Sequence, residues 1–231
     1  MQDVYTYIQS LGAIISFTTS LIISYIVLKK DYRYSLNILF AGAVISMGLT
    51  TLFLFASNIY PILYNDNGPS YILSLSYQFL VFSLLLFLVC LLFINFGKSV
   101  FRSPVLYVYL VICLIASFYV LWFTEPFHTV AVGDVSSSSL FKVVIYSILV
   151  SAYLLTLFLT LYVYRKLQGQ VKSNLGLFLV GWLIGGLALV LNVLGDYAHI
   201  LDALTQVVLT VAMIVIFMSF NRESERREHP Q

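Results

Sequence analysis

The residues closest to a chemically reactive pattern in this sequence are Asp196, His199 and Asp202, spaced as D-x-x-H-x-x-D. Two carboxylates and an imidazole at this spacing could collect a cation or change charge near neutral pH. Glu125 and His128 lie in another link and could add to the same group. The chain has only three histidines, however, and the third lies near the C-terminus. The pattern therefore favours ordinary residues at a membrane interface over a metal site.

A wider set of polar side chains lies within apolar stretches, in the predicted outer third of each one. Asn192 and Asp196 are four residues apart and share a helix face, as do Asp202 and Gln206. Polar side chains are costly inside a membrane, so they usually face other helices or a cavity. A polar outer half above an apolar inner half predicts a ligand pocket open to the outside, although polar residues also collect near interfaces, where they cost little. The candidate ligand-binding residues are Gln9, Asn58, Gln78, Asn192, Asp196, His199, Asp202 and Gln206.

The composition is typical of a membrane protein. Of the 231 residues, 61% are hydrophobic and 10% are charged, whereas a soluble domain carries about 25% charged residues. A soluble fold of this size could not cover so much apolar surface. The net charge of +2 provides no basic field for nucleic acid, so no nucleic-acid partner is expected. Cys90 and Cys113 both lie in apolar stretches and are expected to be packing residues.

Seven apolar stretches fill almost the whole chain, each near the roughly 20 residues that a helix needs to cross a bilayer. Backbone groups in lipid must satisfy one another, so each stretch is expected to be a helix. The predicted fold class is all-α: an integral membrane bundle of seven transmembrane helices over residues 1–220, followed by a charged cytoplasmic tail over 221–231. The predicted spans are 5–28, 34–60, 72–96, 105–123, 140–164, 175–198 and 201–220.

The charges between the stretches predict the orientation. Every Lys and Arg except Lys142 lies in an odd-numbered link or in the tail, and acidic residues such as Asp66 and Glu125 lie on the opposite side. Because basic residues favour the cytoplasmic side, the N-terminus is predicted to face out and the C-terminus to face the cytoplasm. The predicted localisation is the cell membrane, as a multi-pass protein.

Small residues at helical spacing predict where helices approach closely. The second and sixth stretches each carry a small-xxx-small pair just after a basic link, which favours an internal repeat of three plus one plus three helices with parallel halves. Chance similarity between apolar helices is the alternative interpretation. The predicted packing residues are Gly12, Ser16 and Ser20 in the first stretch, with Ser24 continuing the same face, Gly42 and Ser46 in the second, and Gly181 and Gly185 in the sixth.

Several kinds of membrane protein need residues that this sequence lacks. A retinal protein needs a Schiff-base lysine in its seventh span, and residues 201–220 contain none. Haem bundles need paired histidines within spans, and membrane zinc hydrolases need several histidines with aspartate. All five prolines lie at helix ends, in links or in the tail, so the helix breaks of proline-gated transporters are missing. The sequence therefore predicts no enzyme activity, no cofactor and no metal.

The segments Ser76-Tyr77-Gln78-Phe79-Leu80 and Phe93-Ile94-Asn95-Phe96-Gly97 carry a resemblance to a known family. Together with topology and length over essentially the whole chain, they resemble the N-terminal seven-transmembrane sensor region of bacterial and archaeal histidine kinases. Family members usually continue into a kinase or other output domain, and here only the charged tail follows the seventh stretch. The resemblance therefore implies a free-standing sensor module or one that signals through a partner.

Three functional hypotheses follow. The leading one is a sensor- or receptor-like protein that senses a small ligand or ion from the outer face and signals through a cytoplasmic partner. The alternatives are an accessory or structural subunit of a larger membrane complex and a small-solute transporter. The expected partners are the lipid bilayer and a protein at the cytoplasmic face or within the membrane, with a homo-oligomer left open. Anionic lipid could also contact the basic links.

Overall fold

The computed structural model describes residues 2–64, 70–131, 134–195 and 199–228, and these residues are nearly all helical. Long apolar runs form helices because helix formation satisfies every backbone group within the segment. The described residues form seven α-helices: α1 (Gln2–Lys30), α2 (Ser35–Tyr64), α3 (Tyr71–Phe96), α4 (Pro104–Phe123), α5 (Ser139–Lys166), α6 (Gly169–Gly195) and α7 (His199–Glu228).

Six of these helices, α1 to α6, are long and apolar enough to cross a membrane. This finding indicates a multi-pass membrane protein and confirms the predicted helical class. In α7 the apolar segment within the described residues is Leu204–Ser219, which is shorter. A count of seven spans, the outward N-terminus and the internal repeat therefore stay predictions.

Most helices extend a few residues beyond the predicted spans, and α6 begins at Gly169, six residues before its predicted start. The predicted second span ends at residue 60, whereas α2 continues through Pro61 to Tyr64. Proline removes one backbone hydrogen bond. Because Pro61 is close to the end of α2, the few helical residues that follow it keep the cost of this loss small. The charged tail predicted over 221–231 is helical over residues 221–228, as a continuation of α7. Residues 229–231 lie outside the described part.

The long fourth link is the main exception to the all-α prediction. It contains an antiparallel hairpin of β1 (Phe127–Ala131) and β2 (Asp134–Ser137), in which Phe127 pairs with Ser137. The sequence predicted only a link at this position, without strands. The hairpin is anchored to the helices by Phe127, whose ring lies 5.8 Å from Tyr77 of α3 and 4.9 Å from Phe141 of α5.

The helices form a closed arrangement in which α1 packs against α2 and α7, α2 against α3, α3 against α5, α5 against α6, and α6 against α7. Helix α4 packs outside this arrangement, against α3 and α5. Helix α3 supplies much of the core, including Val81, Phe87 and Leu88, whereas α4 buries few side chains. It begins sharply because Ser103 caps its first turn and Pro104 occupies the first helical position.

Contacts between neighbours fix the direction of each helix. Helices α1 and α2 are antiparallel, since Ser24 contacts Ala41 and Ser20 lies against Gly48. Helix α3 is antiparallel to α2, and α7 runs parallel to α1. The starts of α1, α3 and α7 and the end of α2 therefore lie together, at what we term the N-terminal end of the bundle. The opposite end, termed the basic end, carries Lys29, Lys30, Arg33, Arg102, Arg165 and Lys166, which are all exposed.

Candidate functional site

The described structure covers most, but not all, of the predicted polar cluster. Gln206 and Gln78 are buried, with 3% and 7% of their surface exposed. Gln9, Asn58 and Asn192 are half-buried. Asp196 lies outside the described residues, and His199 and Asp202 belong to α7 with side chains that are also outside them. The prediction for these last three residues therefore stays a prediction.

Gln206 lies where α7 meets α1. A Cβ atom at Gly12 would stand only 2.9 Å from the Cβ of Gln206, so the glycine allows the two helices to approach closely. The carbonyl oxygen of Gln206 accepts hydrogen bonds from Thr210 Oγ1 at 2.8 Å and from Ser16 Oγ at 3.4 Å. The hydroxyl oxygens of Ser16 and Thr210 also lie within hydrogen-bond distance of each other, and when one donates to the other it no longer donates to the carbonyl, because each hydroxyl has a single proton. The structure therefore brings two predicted packing residues, Gly12 and Ser16, together with one predicted ligand residue.

The rest of the small-residue face of α1 is also buried. Ser20 Oγ donates to the carbonyl of Ser16 at 2.8 Å and lies 3.3 Å from the sulfur of Met213. Ser24 Oγ donates to the carbonyl of Ala41 at 3.3 Å. This face therefore contacts α7 in its first half and α2 in its second half, which explains why small residues recur along its whole length.

Gln78 lies at a different helix contact. Its Nε2 donates to Ser117 Oγ of α4 at 3.3 Å, and Ser117 donates onward to the carbonyl of Leu114. The neighbouring Tyr77 packs edge-to-face against Phe141, with ring centroids 4.8 Å apart. The hydrogen bonds of Gln78 and Gln206 thus join different helix pairs, so the predicted polar cluster divides into two parts.

The glycine pairs predicted from spacing are not all at the tightest contacts. A Cβ at Gly181 would meet Ile216 Cγ1 at 2.7 Å, which marks a close crossing of α6 and α7. By contrast, a Cβ at Gly42 or Gly185 would be at ordinary van der Waals distances of 3.6 and 3.8 Å, and Ser46, the partner of Gly42, is half-buried.

Two further glycines at close helix contacts, Gly48 and Gly186, were not predicted from the sequence. A Cβ at Gly48 would lie 2.7 Å from the Cβ of Ser20, and one at Gly186 would collide with the hydroxyl of Tyr153. Gly48 lies six residues after Gly42, so a search for i, i+4 pairs passes over it. Gly186 directly follows Gly185, and only the helix rotation decides which of the two faces α5.

Among the described residues, four buried polar atoms without a hydrogen-bond partner lie at the N-terminal end of the bundle. Each belongs to a residue within about two turns of the end of its helix. Such atoms are rare in native structures and call for a ligand, a water or an adaptable neighbour. Two are acceptors, one is a donor and one is a hydroxyl: Gln78 Oε1, Gln206 Oε1, Asn58 Nδ2 and Ser10 Oγ. Ser10 was not among the predicted residues, since a serine near a helix end is an ordinary sequence feature.

The half of the bundle near the basic end is less apolar than predicted. Thr156 and Thr160 of α5 are fully buried, and Thr160 Oγ1 donates to the carbonyl of Thr156 at 2.7 Å. The side-chain oxygen of Thr156 has no partner. Also in the half near the basic end, Ser219 Oγ of α7 donates to the carbonyl of Asn174 of α6 at 2.7 Å. Threonine and serine are difficult to predict as buried polar groups, because they bond their own helix backbone and tolerate apolar surroundings.

The basic end combines cations with aromatic rings. Lys29 lies 6.0 Å from the ring centroid of Tyr25, and Lys172 lies 5.0 Å from that of Tyr164. Long basic side chains beside tyrosines are typical of membrane interfaces, where the rings sit at headgroup level. Among the described residues no group of three His, Cys, Asp or Glu side chains is placed to hold a metal ion.

The chain matches no protein-family model, and a comparison with curated proteins gives no match.

Proposed function

We propose that this protein is a sensor- or receptor-like seven-span protein of the cell membrane, with its N-terminal end outside. It receives a small polar ligand at that end and signals through a cytoplasmic partner at the basic end. The observation that carries the proposal is the group of four buried, partnerless polar atoms, of Ser10, Asn58, Gln78 and Gln206, at one end of the bundle. A buried polar group without a partner costs roughly 2–7 kcal/mol on transfer from water to an apolar environment. A ligand that satisfies these groups recovers part of that cost.

The opposite end supports the second half of the proposal. Its exposed cations lie at the ends of α1 and α5 and in the 3-10 helix Gly97–Arg102 that follows α3. Because these cations all lie at the same end of the bundle, a protein partner with an acidic surface could bind them together. Helices that run from the polar end to the basic end connect the two sites, and a ligand shifts such a bundle only by binding two packings with different affinity.

Trp182 provides a reporter for this coupling. Its ring stacks on Tyr153 at 5.5 Å and on Phe178 at 5.8 Å, and it meets the edge of Phe87 at 5.5 Å. It therefore contacts residues of α3, α5 and α6. Because the ring is buried, a change in helix packing alters its surroundings and its fluorescence.

The test is fluorescence titration of a Trp122→Phe variant in lipid nanodiscs, in which Trp182 is the single tryptophan. Neutral polyols, amines and carboxylates are titrated separately. We expect one class to give a saturable change that is lost in Gln206→Met or Gln78→Met and kept in Thr156→Val. If no ligand class gives a saturable fluorescence change, the result would contradict a sensor. If the fluorescence change is kept in both glutamine variants, the receiving site lies elsewhere.

A second candidate function is an accessory subunit of a larger membrane complex. It is favoured by α4, which packs on the outside of the bundle and exposes large apolar side chains, with Val105 76% and Phe123 71% exposed. Lipid alone could cover this surface. Purification in mild detergent distinguishes the two, because a subunit brings a stoichiometric partner that is lost when Ile115→Arg disrupts the exposed face of α4.

A further inference from the structure

Two lysines at the basic end each lie over a tyrosine of the preceding helical turn. Lys29 follows Tyr25 by four residues on α1, and its nitrogen lies 6.0 Å from the centroid of the tyrosine ring. Lys166 follows Tyr162 by four residues on α5, at 4.0 Å from the ring centroid. Residues four apart share one face of a helix, so α1 and α5 end in the same pattern of a tyrosine ring below a lysine.

The two pairs lie on opposite sides of the bundle. Helix α1 packs against α2 and α7, whereas α5 packs against α3, α4 and α6. In the closed arrangement of six helices, two helices therefore separate α1 from α5 in either direction. The rings lie on the outside, since Tyr25 is 65% exposed and Tyr162 is 49% exposed. A partner that contacts both pairs must surround the bundle.

The pairs also lie at the border of the apolar segments. The apolar span of α1 ends at Lys30, that of α5 ends at Lys166, and that of α6 begins at Lys172, which lies 5.0 Å from the ring of Tyr164. The tyrosine rings are at the edge of the apolar layer, and the lysine nitrogens reach the level of the lipid headgroups. A soluble protein reaches only the surface beyond this border, so the layer that surrounds these pairs is lipid.

The polar groups of each pair are suited to an anion. An ammonium group has three N–H donors and no acceptor. Lys166 uses one of them on the hydroxyl oxygen of Tyr162, which leaves two N–H donors and the O–H of the tyrosine for a ligand. Phosphate oxygens accept such hydrogen bonds, and the charge on both partners strengthens them.

The charge of the basic end distinguishes between headgroups, all of which contain phosphate. Its helix ends and links, including the continuation of α7, contain eleven Lys and Arg residues and four acidic ones, Asp31, Glu223, Glu225 and Glu228. The side chains of the three glutamates lie outside the described residues, and Asp31 Oδ1 accepts a hydrogen bond from the backbone nitrogen of Arg33 at 3.0 Å. A zwitterionic headgroup brings a cation of its own, which this excess of positive charge repels, whereas an anionic headgroup does not.

We propose that the basic end binds a layer of anionic phospholipid, with the Tyr25–Lys29 and Tyr162–Lys166 pairs as headgroup contacts on opposite sides of the bundle. This lipid contact requires no ligand at the N-terminal end. It therefore holds or fails independently of the sensor proposal.

The probes are spin-labelled phosphatidylglycerol and spin-labelled phosphatidylcholine, each added in trace amounts to the full chain in phosphatidylcholine vesicles. Electron paramagnetic resonance spectra give the fraction of each lipid that is immobilised at the protein. At low salt we expect phosphatidylglycerol to associate roughly twofold to fivefold more strongly than phosphatidylcholine. In 1 M NaCl, where the Debye length is about 3 Å, this preference should fall.

Matched variants test the two pairs. Lys29→Gln combined with Lys166→Gln removes both charges and should lower the preference to roughly half. Tyr25→Phe combined with Tyr162→Phe keeps the rings and the charges, and should cause a smaller reduction because only the hydroxyl donors are lost. Lys142→Gln removes a lysine near the start of α5, at the opposite end of the bundle, and should have no effect. The fluorescence of Trp182 checks that each variant keeps its packing.

Three outcomes would overturn the proposal. Equal association of the two lipids at low salt would show that the basic end does not select anionic headgroups. A preference that the double lysine variant leaves unchanged, or that Lys142→Gln abolishes, would place the anionic contact elsewhere. A preference that the lysine variant lowers but the tyrosine variant leaves unchanged would show that charge alone acts, and would contradict the tyrosine–lysine pairs as headgroup contacts.

Discussion

The contact between α1 and α7 and the contact between α5 and α6 hold helices together in opposite ways. The first is built from small and polar residues, with Gly12 and Ser16 facing Gln206 and Thr210. The second is built from large rings, with Tyr153 stacked on Trp182. There the hydroxyl of Tyr153 donates to the carbonyl of Trp182 at 3.1 Å, and the indole nitrogen of Trp182 donates to the carbonyl of Tyr153 at 3.3 Å.

The difference lies in what each contact leaves unsatisfied. The aromatic contact uses its polar groups in a reciprocal pair and fills its space with rings. The α1–α7 contact leaves Gln206 Oε1 without a partner. A contact whose polar groups are satisfied favours a single packing, whereas one with an unsatisfied group can gain from a ligand. We therefore expect the α5–α6 contact to stabilise the fold and the α1–α7 contact to change its packing when a ligand binds.

The largest expected effect is on the aromatic contact. Trp182→Ala removes a buried ring that packs against three others, and we expect it to lower the free energy of unfolding by about 3–5 kcal/mol. Reversible unfolding in mixed detergent micelles measures the change. Trp122→Ala is the matched control, because Trp122 is 40% exposed on α4 and its loss leaves a smaller void. Equal losses from the two variants would contradict the assignment of Trp182 as a main stabilising residue.

The next effect concerns the approach of α1 to α7. Gly12→Ala places a methyl group 2.9 Å from the Cβ of Gln206, which forces the helices apart and should cost about 1–3 kcal/mol of unfolding free energy. Gly42→Ala is the control, since its Cβ meets Leu86 at an ordinary 3.6 Å. That control should be neutral or slightly stabilising, because alanine favours helices over glycine. A neutral Gly12→Ala would show that the two helices are not held at this distance.

A smaller effect is expected from the hydroxyl pair below Gln206. Ser16→Ala and Thr210→Val each remove one side of the hydrogen bond, and a double-mutant cycle isolates their interaction. We expect a coupling of about 0.6 kcal/mol, which is typical of side-chain hydrogen bonds between membrane helices. Combining Ser16→Ala with Ser83→Ala, whose hydroxyl bonds Ala43 instead, should show no coupling. A coupling of zero in the first pair would contradict the contact.

The smallest effect should come from Gln206 itself in the absence of ligand. Its side-chain oxygen has no partner to lose, so Gln206→Met should change the free energy of unfolding by less than about 1 kcal/mol, or raise it. The same unfolding assay measures this. A loss above about 2 kcal/mol would show that the amide is a structural group and would blur the distinction between the two helix contacts.

Several features of the fold were predictable from the sequence because they depend on local order along the chain. The uncharged run from Ser35 to Tyr64 contains enough apolar residues for a span, and so do the runs of α1 and of α3 to α6. The cap formed by Ser103 and Pro104 is also local. The hairpin at Phe127 was not predictable in this way, because the ring contacts with Tyr77 and Phe141 that anchor it come from two different helices.

The candidate site was predictable only in part. Gln206, Gln78 and Asn58 stand out in a sequence because amides are rare inside apolar runs, and the structure gives each of them a partnerless polar atom. The sequence did not show that Gln78 lies at the α3–α4 contact and Gln206 at the α1–α7 contact, nor that Ser10 has a buried partnerless hydroxyl. The site predicted at Asp196, His199 and Asp202 stays a prediction, because their side chains lie outside the described residues.

The sequence by itself predicted long apolar helices, since backbone hydrogen bonding in lipid is satisfied within each helix, and six of the helices in the structure are long and apolar enough to cross a membrane. The tertiary structure decided which face of each helix meets which neighbour. In a soluble protein the apolar stripe of a helix shows which face is buried. These helices are apolar all round, so hydrophobicity does not show which face meets a neighbouring helix. Shape, as where Gly12 meets Gln206 and Gly186 meets Tyr153, and hydrogen bonds between helices, as from Gln78 to Ser117, select the contacts instead.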